Sequence, residues 1–218
     1  MQYYGAEENF YSTYSTNSDN ITLSKYNKNI VLTPENPVAG FIFYPGACVN
    51  YDSYIPLMYQ CALKNIQVVI VNMPENMAIL DVNAADGIPE HFSSIEKWYV
   101  GGHSMGGAMA ASYIKKHTSE YEGLILLAAY STADLSSSGL KVLSVYGSED
   151  KVLSAEKYAK YKANLPEEGN GFTEKVIEGG NHGQFGNYGE QAGDGTASIS
   201  SETQQLLTAQ YIYELVTE

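Results

Sequence analysis

From residue 40 onward the sequence repeats one pattern, a short run that is apolar throughout followed by a longer stretch of helical character. The runs are GFIFYPG (40–46), QVVIVNMP (67–74), KWYVGG (97–102), GLILLAA (123–129), KVLSVYG (141–147) and EKVIEGG (174–180). A strand with one face in water alternates apolar and polar residues, whereas an uninterrupted apolar run needs cover on both faces, as in a parallel sheet. Helical candidates at 51–64, 82–92, 104–117, 154–163 and 202–216 supply that cover. The βαβ order, with right-handed crossovers, predicts a doubly wound, mostly parallel α/β sheet with helices on both faces. Ligands in such a sheet sit beyond the carboxyl ends of the strands, so chemistry is sought there.

Upstream, ITLSKYNKNIVLTPENP (21–37) offers two β-like stretches around Asn27-Lys28-Asn29, closed by Pro34 and Pro37, which predicts an antiparallel hairpin at the sheet edge. Residues 1–20 are polar and tyrosine-rich without a period, which suits a short helix or an irregular arm. The expected organisation is an N-terminal arm (1–20) and one α/β domain (21–218), since 218 residues is long for one domain and short for two. Hydrophobic residues at 44% against 17% charged residues suffice for a real core.

The net charge is −13, and all 12 basic residues are lysine. Without arginine there is no planar fork for bidentate phosphate capture, and the overall field repels polyanions, which excludes nucleic acid as a partner. Cys48 and Cys61 are too few for a disulfide framework, and their spacing fits no zinc pattern. No run of about 18 apolar residues offers a membrane span. The first twenty residues carry neither a basic segment nor an apolar one, so no export signal is expected. The expectation is a cytoplasmic protein as the chain stands, or an extracytoplasmic one if an N-terminal anchor has been trimmed from it.

The stretch YVGGHSMGGAMAA (99–111) carries the chemistry. Its G-x-S-x-G core, Gly102-His103-Ser104-Met105-Gly106, falls where a strand runs into a helix. That context predicts a nucleophile elbow, in which serine takes strained backbone angles and the glycines let strand and helix cross closely. Helix capping by Ser104 is the competing explanation. A serine hydroxyl is a weak nucleophile unless a base takes its proton and an acid orients the base. Of four histidines, His91 and His117 end helices and His103 sits inside the elbow, pointing away from Ser104. His182 lies just past the last strand, in the glycine-rich segment GGNHGQFGNYGEQAGDGTASIS (179–200), and is the expected base. Asp150 in VYGSEDKV is the expected acid, with Asp134 as its rival and Glu149 as a neighbour that could compete.

The oxyanion hole is expected from the backbone N–H of Met105 and one from the loop YPGACVNYDSY, with Ala47 ranked ahead of Cys48. Tyr44, Tyr51, Tyr54 and Phe185 are candidate walls of a substrate pocket. Asp194 and Asn187 match no calcium-loop spacing, so no metal and no cofactor are assigned.

Over about residues 38–216 the sequence resembles the α/β-hydrolase superfamily, in particular its small lidless branch of dienelactone hydrolase-like proteins. The resemblance is carried by FIFYPGACVNYDSY, GGHSMGGAMAA, VYGSEDKV and GGNHGQFGNYG. Dienelactone hydrolase itself uses a cysteine nucleophile where this sequence has Ser104, and the arginines that hold its substrate carboxylate have no counterpart. The resemblance and the residues together imply a serine hydrolase of small carboxylic esters, working through an acyl-enzyme. Only about twelve residues, 129–140, stand where many relatives insert a lid, so an open, shallow pocket is expected. An acyltransferase or peptidase with the same three residues is the alternative, and a non-catalytic binding protein on this fold a more distant one.

Overall fold

A computed structural model describes residues 2–15 and 20–218. Its centre is one nine-stranded sheet in the order β1-β2-β4-β3-β5-β6-β7-β9-β8. The edge hairpin is β1 (Ile21–Tyr26) and β2 (Asn29–Pro34), antiparallel, and β2 also runs antiparallel to β4. Asn27 and Lys28 both take positive φ, 55° and 130°, as a two-residue hairpin turn requires. The remaining pairs are parallel: β3 (Ala39–Tyr44), β4 (Ile66–Ile70), β5 (Trp98–His103), β6 (Gly123–Leu127), β7 (Lys141–Gly147), the two-residue β8 (Glu167–Glu168) and β9 (Gly171–Ile177).

Every residue of β3, β4, β5 and β6 is buried, which is why these segments are apolar at nearly every position, Gln67 and His103 excepted. The two faces of β3 show the partition. Phe41 and Phe43 join the core under α1 (Phe10–Ser15), α2 (Ile55–Ala62) and α6 (Ser201–Thr217), while Ile42 and Tyr44 join the opposite core under α4 (Met105–Ile114). Helix α5 (Ala155–Tyr161) follows β7, its first turn capped by the Ser154 hydroxyl accepting from the Lys157 N–H. Of the arm, residues 1 and 16–19 lie outside the described residues. Its remainder is tied down: Tyr4 bonds Cys48 and Asn50 through the backbone, and the Glu7 N–H donates to the Asn187 carbonyl.

The sequence pattern errs most at 82–92. Only one helical turn forms there, α3 (Ile88–His91), after Gly87 at φ 75°. Asp81, Asn83, Asp86 and Gly87 favour turns over helix, and Pro89 has no N–H for an earlier turn. Residues 51–54 are a 3-10 turn rather than the start of α2, with Pro56 in the helix's first turn. The last strand begins at Gly171 and ends at Ile177, three residues ahead of the expected span at both ends. Residues 128–140, between β6 and β7, contain no helix, so no lid rises over the sheet.

Candidate active site

Ser104 stands between the end of β5 and the start of α4 at φ 54° and ψ −123°, a conformation that costs a non-glycine residue about 1–3 kcal/mol. Two hydrogen bonds hold it, from its own N–H to the Leu127 carbonyl (2.9 Å) and from the Ala108 N–H to its carbonyl (3.2 Å). Its side chain makes no capping hydrogen bond, so helix capping does not explain the residue. The surrounding glycines are required by contact. A Cβ on Gly102 would lie 2.3 Å from the Tyr44 carbonyl oxygen, and one on Gly106 would lie 2.2 Å from the same atom.

The two amides expected to form the oxyanion hole follow the ends of adjacent strands. The β3–β5 register pairs Tyr44 with Gly102, so Ala47 and Met105 each stand three residues beyond a matched pair. Among the described residues neither N–H has a protein acceptor, whereas the Cys48 N–H is taken by the Asn76 carbonyl at 2.8 Å. That favours Ala47 over Cys48 as a donor to ligand. The Gly46 carbonyl accepts the Val49 N–H, and because the peptide is trans the Ala47 N–H on the same plane points the opposite way.

His182 follows β9, and its Nδ1 lies 2.8 Å from Asp150 Oδ2, both side chains 2% exposed. The other Asp150 oxygen accepts the Val152 and Leu153 N–H groups, each at 2.8 Å, which fixes the carboxylate. Asp134 is elsewhere: it is exposed, its carboxylate accepts the Ser136 N–H and hydroxyl, and its carbonyl accepts from Lys115 Nζ. His182 Nε2 is buried and, among the described residues, has no hydrogen-bond partner, Ser104 Oγ included. The strand-end turn alone does not hold this imidazole. Gln204, fully buried on α6, clamps the Asn181 main chain with both ends of its amide, and Asp194 accepts the Gly183 N–H at 2.8 Å. Sequence reasoning missed both. The only signal for Gln204 was a carboxamide among the core-facing positions of a helix, since a buried polar group must find partners.

His103 packs against the expected base. Its ring lies 4.6 Å, centroid to centroid, from that of His182. Burial first, and then the neighbouring His182, holds His103 well below the ordinary imidazole range, with the His182 main chain a smaller opposing influence. It is therefore neutral. The other two histidines stack on aromatic rings away from the site, His91 on Tyr26 and His117 on Tyr113.

The expected pocket walls are placed otherwise. Tyr44 is fully buried and spends its hydroxyl on the Val82 carbonyl and the Ala85 N–H. Tyr51 reaches the hairpin turn at the Lys28 carbonyl, and Tyr54 and Phe185 are fully buried beside His103. The buried rings of Tyr44, Tyr54 and Phe185 offer a substrate no surface, whereas Tyr51 is half-buried. A groove of about 370 Å3 lies under the glycine-rich loop, lined by Asn181, Gln184, Asn187 and Gln191 rather than by Ser104 or His182. Among the described residues no group of three His, Cys, Asp or Glu is arranged to hold a metal ion, and no helix is long and apolar enough to cross a membrane.

The alpha/beta hydrolase family profile matches residues 40–206, and the chain belongs to that family. No curated protein matches the sequence. Among solved structures it is similar to TT1662 from Thermus thermophilus, at 11% identity and a TM-score of 0.68 over 91% of this chain and 99% of that one. Est1E from Butyrivibrio proteoclasticus, solved with ferulic acid bound, is 12% identical with a TM-score of 0.64, over 93% of this chain and 98% of that one. Esterase 2 of Thermogutta terrifontis, solved phosphonylated by cyclosarin, is 14% identical with a TM-score of 0.59, over 91% and 94% of the two chains. At these identities the likeness is one of fold.

Proposed function

We propose that the protein is a serine hydrolase of small carboxylic esters, from the lidless, dienelactone hydrolase-like part of the family. Ser104 Oγ attacks the ester carbonyl, His182 takes the hydroxyl proton through Nε2, and Asp150 orients the imidazole and stabilises its charged form. The Ala47 and Met105 amides receive the negative oxygen of the tetrahedral intermediate. His182 returns the proton to the departing alcohol, and water, deprotonated by the same imidazole, then releases the acid from Ser104. The observation that carries this reading is the buried Asp150–His182 pair, whose second ring nitrogen is left without a partner. The strained backbone of Ser104, which capping does not account for, supports the nucleophile. The chain that follows β6 without a helix supports a small, open substrate.

Turnover of p-nitrophenyl acetate and butyrate tests the reading, with added alcohol or amine acceptors to reveal acyl transfer. Asp150→Asn lowers kcat by about 10^4-fold, because the amide holds the wrong imidazole tautomer. Asp134→Asn leaves kcat unchanged within about twofold, since the exposed Asp134 carboxylate bonds Ser136 and lies away from His182. The opposite pair of results would assign the acid to Asp134.

A further inference from the structure

We infer that Tyr54 and His103 are positioning residues that join the oxyanion loop to the imidazole of His182. This rests on the reading of Ser104, His182 and Asp150 given above. The Tyr54 hydroxyl is fully buried between two groups, accepting the Gly46 N–H at 3.1 Å and lying 2.9 Å from His103 Nδ1. A phenol has one proton, and the Gly46 N–H cannot accept it. The Tyr54 proton therefore goes to Nδ1, and neutral His103 carries its own proton on Nε2. That nitrogen is buried beside the His182 main chain without a well-aligned partner.

The chain of contacts thus runs from Gly46, whose carbonyl side sets the direction of the Ala47 N–H, through Tyr54 and His103 to the ring of His182. Space confirms how tightly it is built, since a Cβ on Gly46 would fall 2.9 Å from both His103 Nδ1 and the Tyr54 oxygen. Neither residue touches the reacting atoms. Their work is to keep the amide that receives the oxyanion and the imidazole that moves the proton in one fixed relation, which a hydrophobic filler of equal volume does not do.

The test compares Tyr54→Phe, His103→Leu and His103→Asn with the native protein. The Asn carbonyl can take the place of Nδ1 as acceptor for Tyr54; Leu cannot. With p-nitrophenyl acetate, Tyr54→Phe and His103→Leu are expected to lower kcat about tenfold or more with KM within about twofold, while His103→Asn recovers most of the loss. Equal kcat in folded Tyr54→Phe and the native protein, or equal loss in the Leu and Asn variants, would overturn the proposal. Should the variants not fold, 15N spectra of the native protein decide: a proton on His103 Nε2 supports the proposal and a proton on Nδ1 overturns it. Labelling of native Ser104 by a fluorophosphonate reads the underlying function separately. A labelled Ser104 with a normal rate in Tyr54→Phe removes the positioning role alone, whereas an unlabelled native serine removes the hydrolase reading.

Discussion

Ser104→Ala is expected to lower kcat toward p-nitrophenyl butyrate by roughly 10^4- to 10^6-fold while leaving the fold and its thermal midpoint nearly intact. The activity side follows from chemistry, because no neighbouring group can replace the missing oxygen. Cys48 turns its sulfur to Met77, 3.6 Å away. The stability side follows from contacts, because the Ser104 side chain caps nothing and the two hydrogen bonds at this residue belong to its backbone. Alanine also suffers φ near 54°, so relief of strain is not expected. Steady-state rates with a denaturation curve on the same sample check both halves. Retention of more than about 1% of native kcat would remove Ser104 from the chemistry.

Gly106→Ala is expected to have the largest effect on folding. In most helices this exchange is favourable by about 1 kcal/mol. Here the new methyl would lie 2.2 Å from the Tyr44 carbonyl oxygen and 2.3 Å from that of Pro45, both main-chain atoms of β3 and the loop after it. Relief requires moving α4 away from the sheet, which breaks the close crossing on which Ser104 depends. The cost is on the order of 3 kcal/mol or more, a large share of the roughly 5–15 kcal/mol of a typical domain. Gly5→Ala is the control, since its Cβ would meet only a Tyr3 ring carbon at 3.9 Å. Urea midpoints measure the difference. A Gly106→Ala protein as stable as Gly5→Ala would contradict the packing described for the elbow.

The same two positions show why part of the architecture was legible in the residues. Strands buried on both faces take few polar residues, here Gln67 and His103, so β3 to β6 announce themselves, and an elbow needs small residues wherever strand and helix cross. Chain order and the rule that ligands gather beyond strand ends point to His182 but leave Asp150 and Asp134 as rivals, and it is the 2.8 Å contact that pairs Asp150 with His182. The helix expected over 82–92 failed because periodicity outweighed the turn-forming Asp81, Asn83, Asp86 and Gly87, which dominate locally. Tyr44, Tyr54 and Phe185, expected as pocket walls, are buried for another reason. Nearness in sequence to a catalytic segment does not say which face of a strand or turn a ring will take, and 19 tyrosines leave few places without one. Gln204, Asp194 and His103 act through contacts between residues that are distant in the chain or on the hidden side of a motif. No local pattern encodes those.

Central to the account is that one hydroxyl, raised on a strained turn, is made reactive by an imidazole arriving from a distant loop. Reaction of the native protein with a fluorophosphonate, followed by peptide mass spectrometry, asks this directly. The account predicts one phosphonyl adduct per chain, on Ser104, with labelling slowed at least about 100-fold in His182→Gln. An adduct on any other residue, or labelling of Ser104 at the native rate without His182, would contradict it.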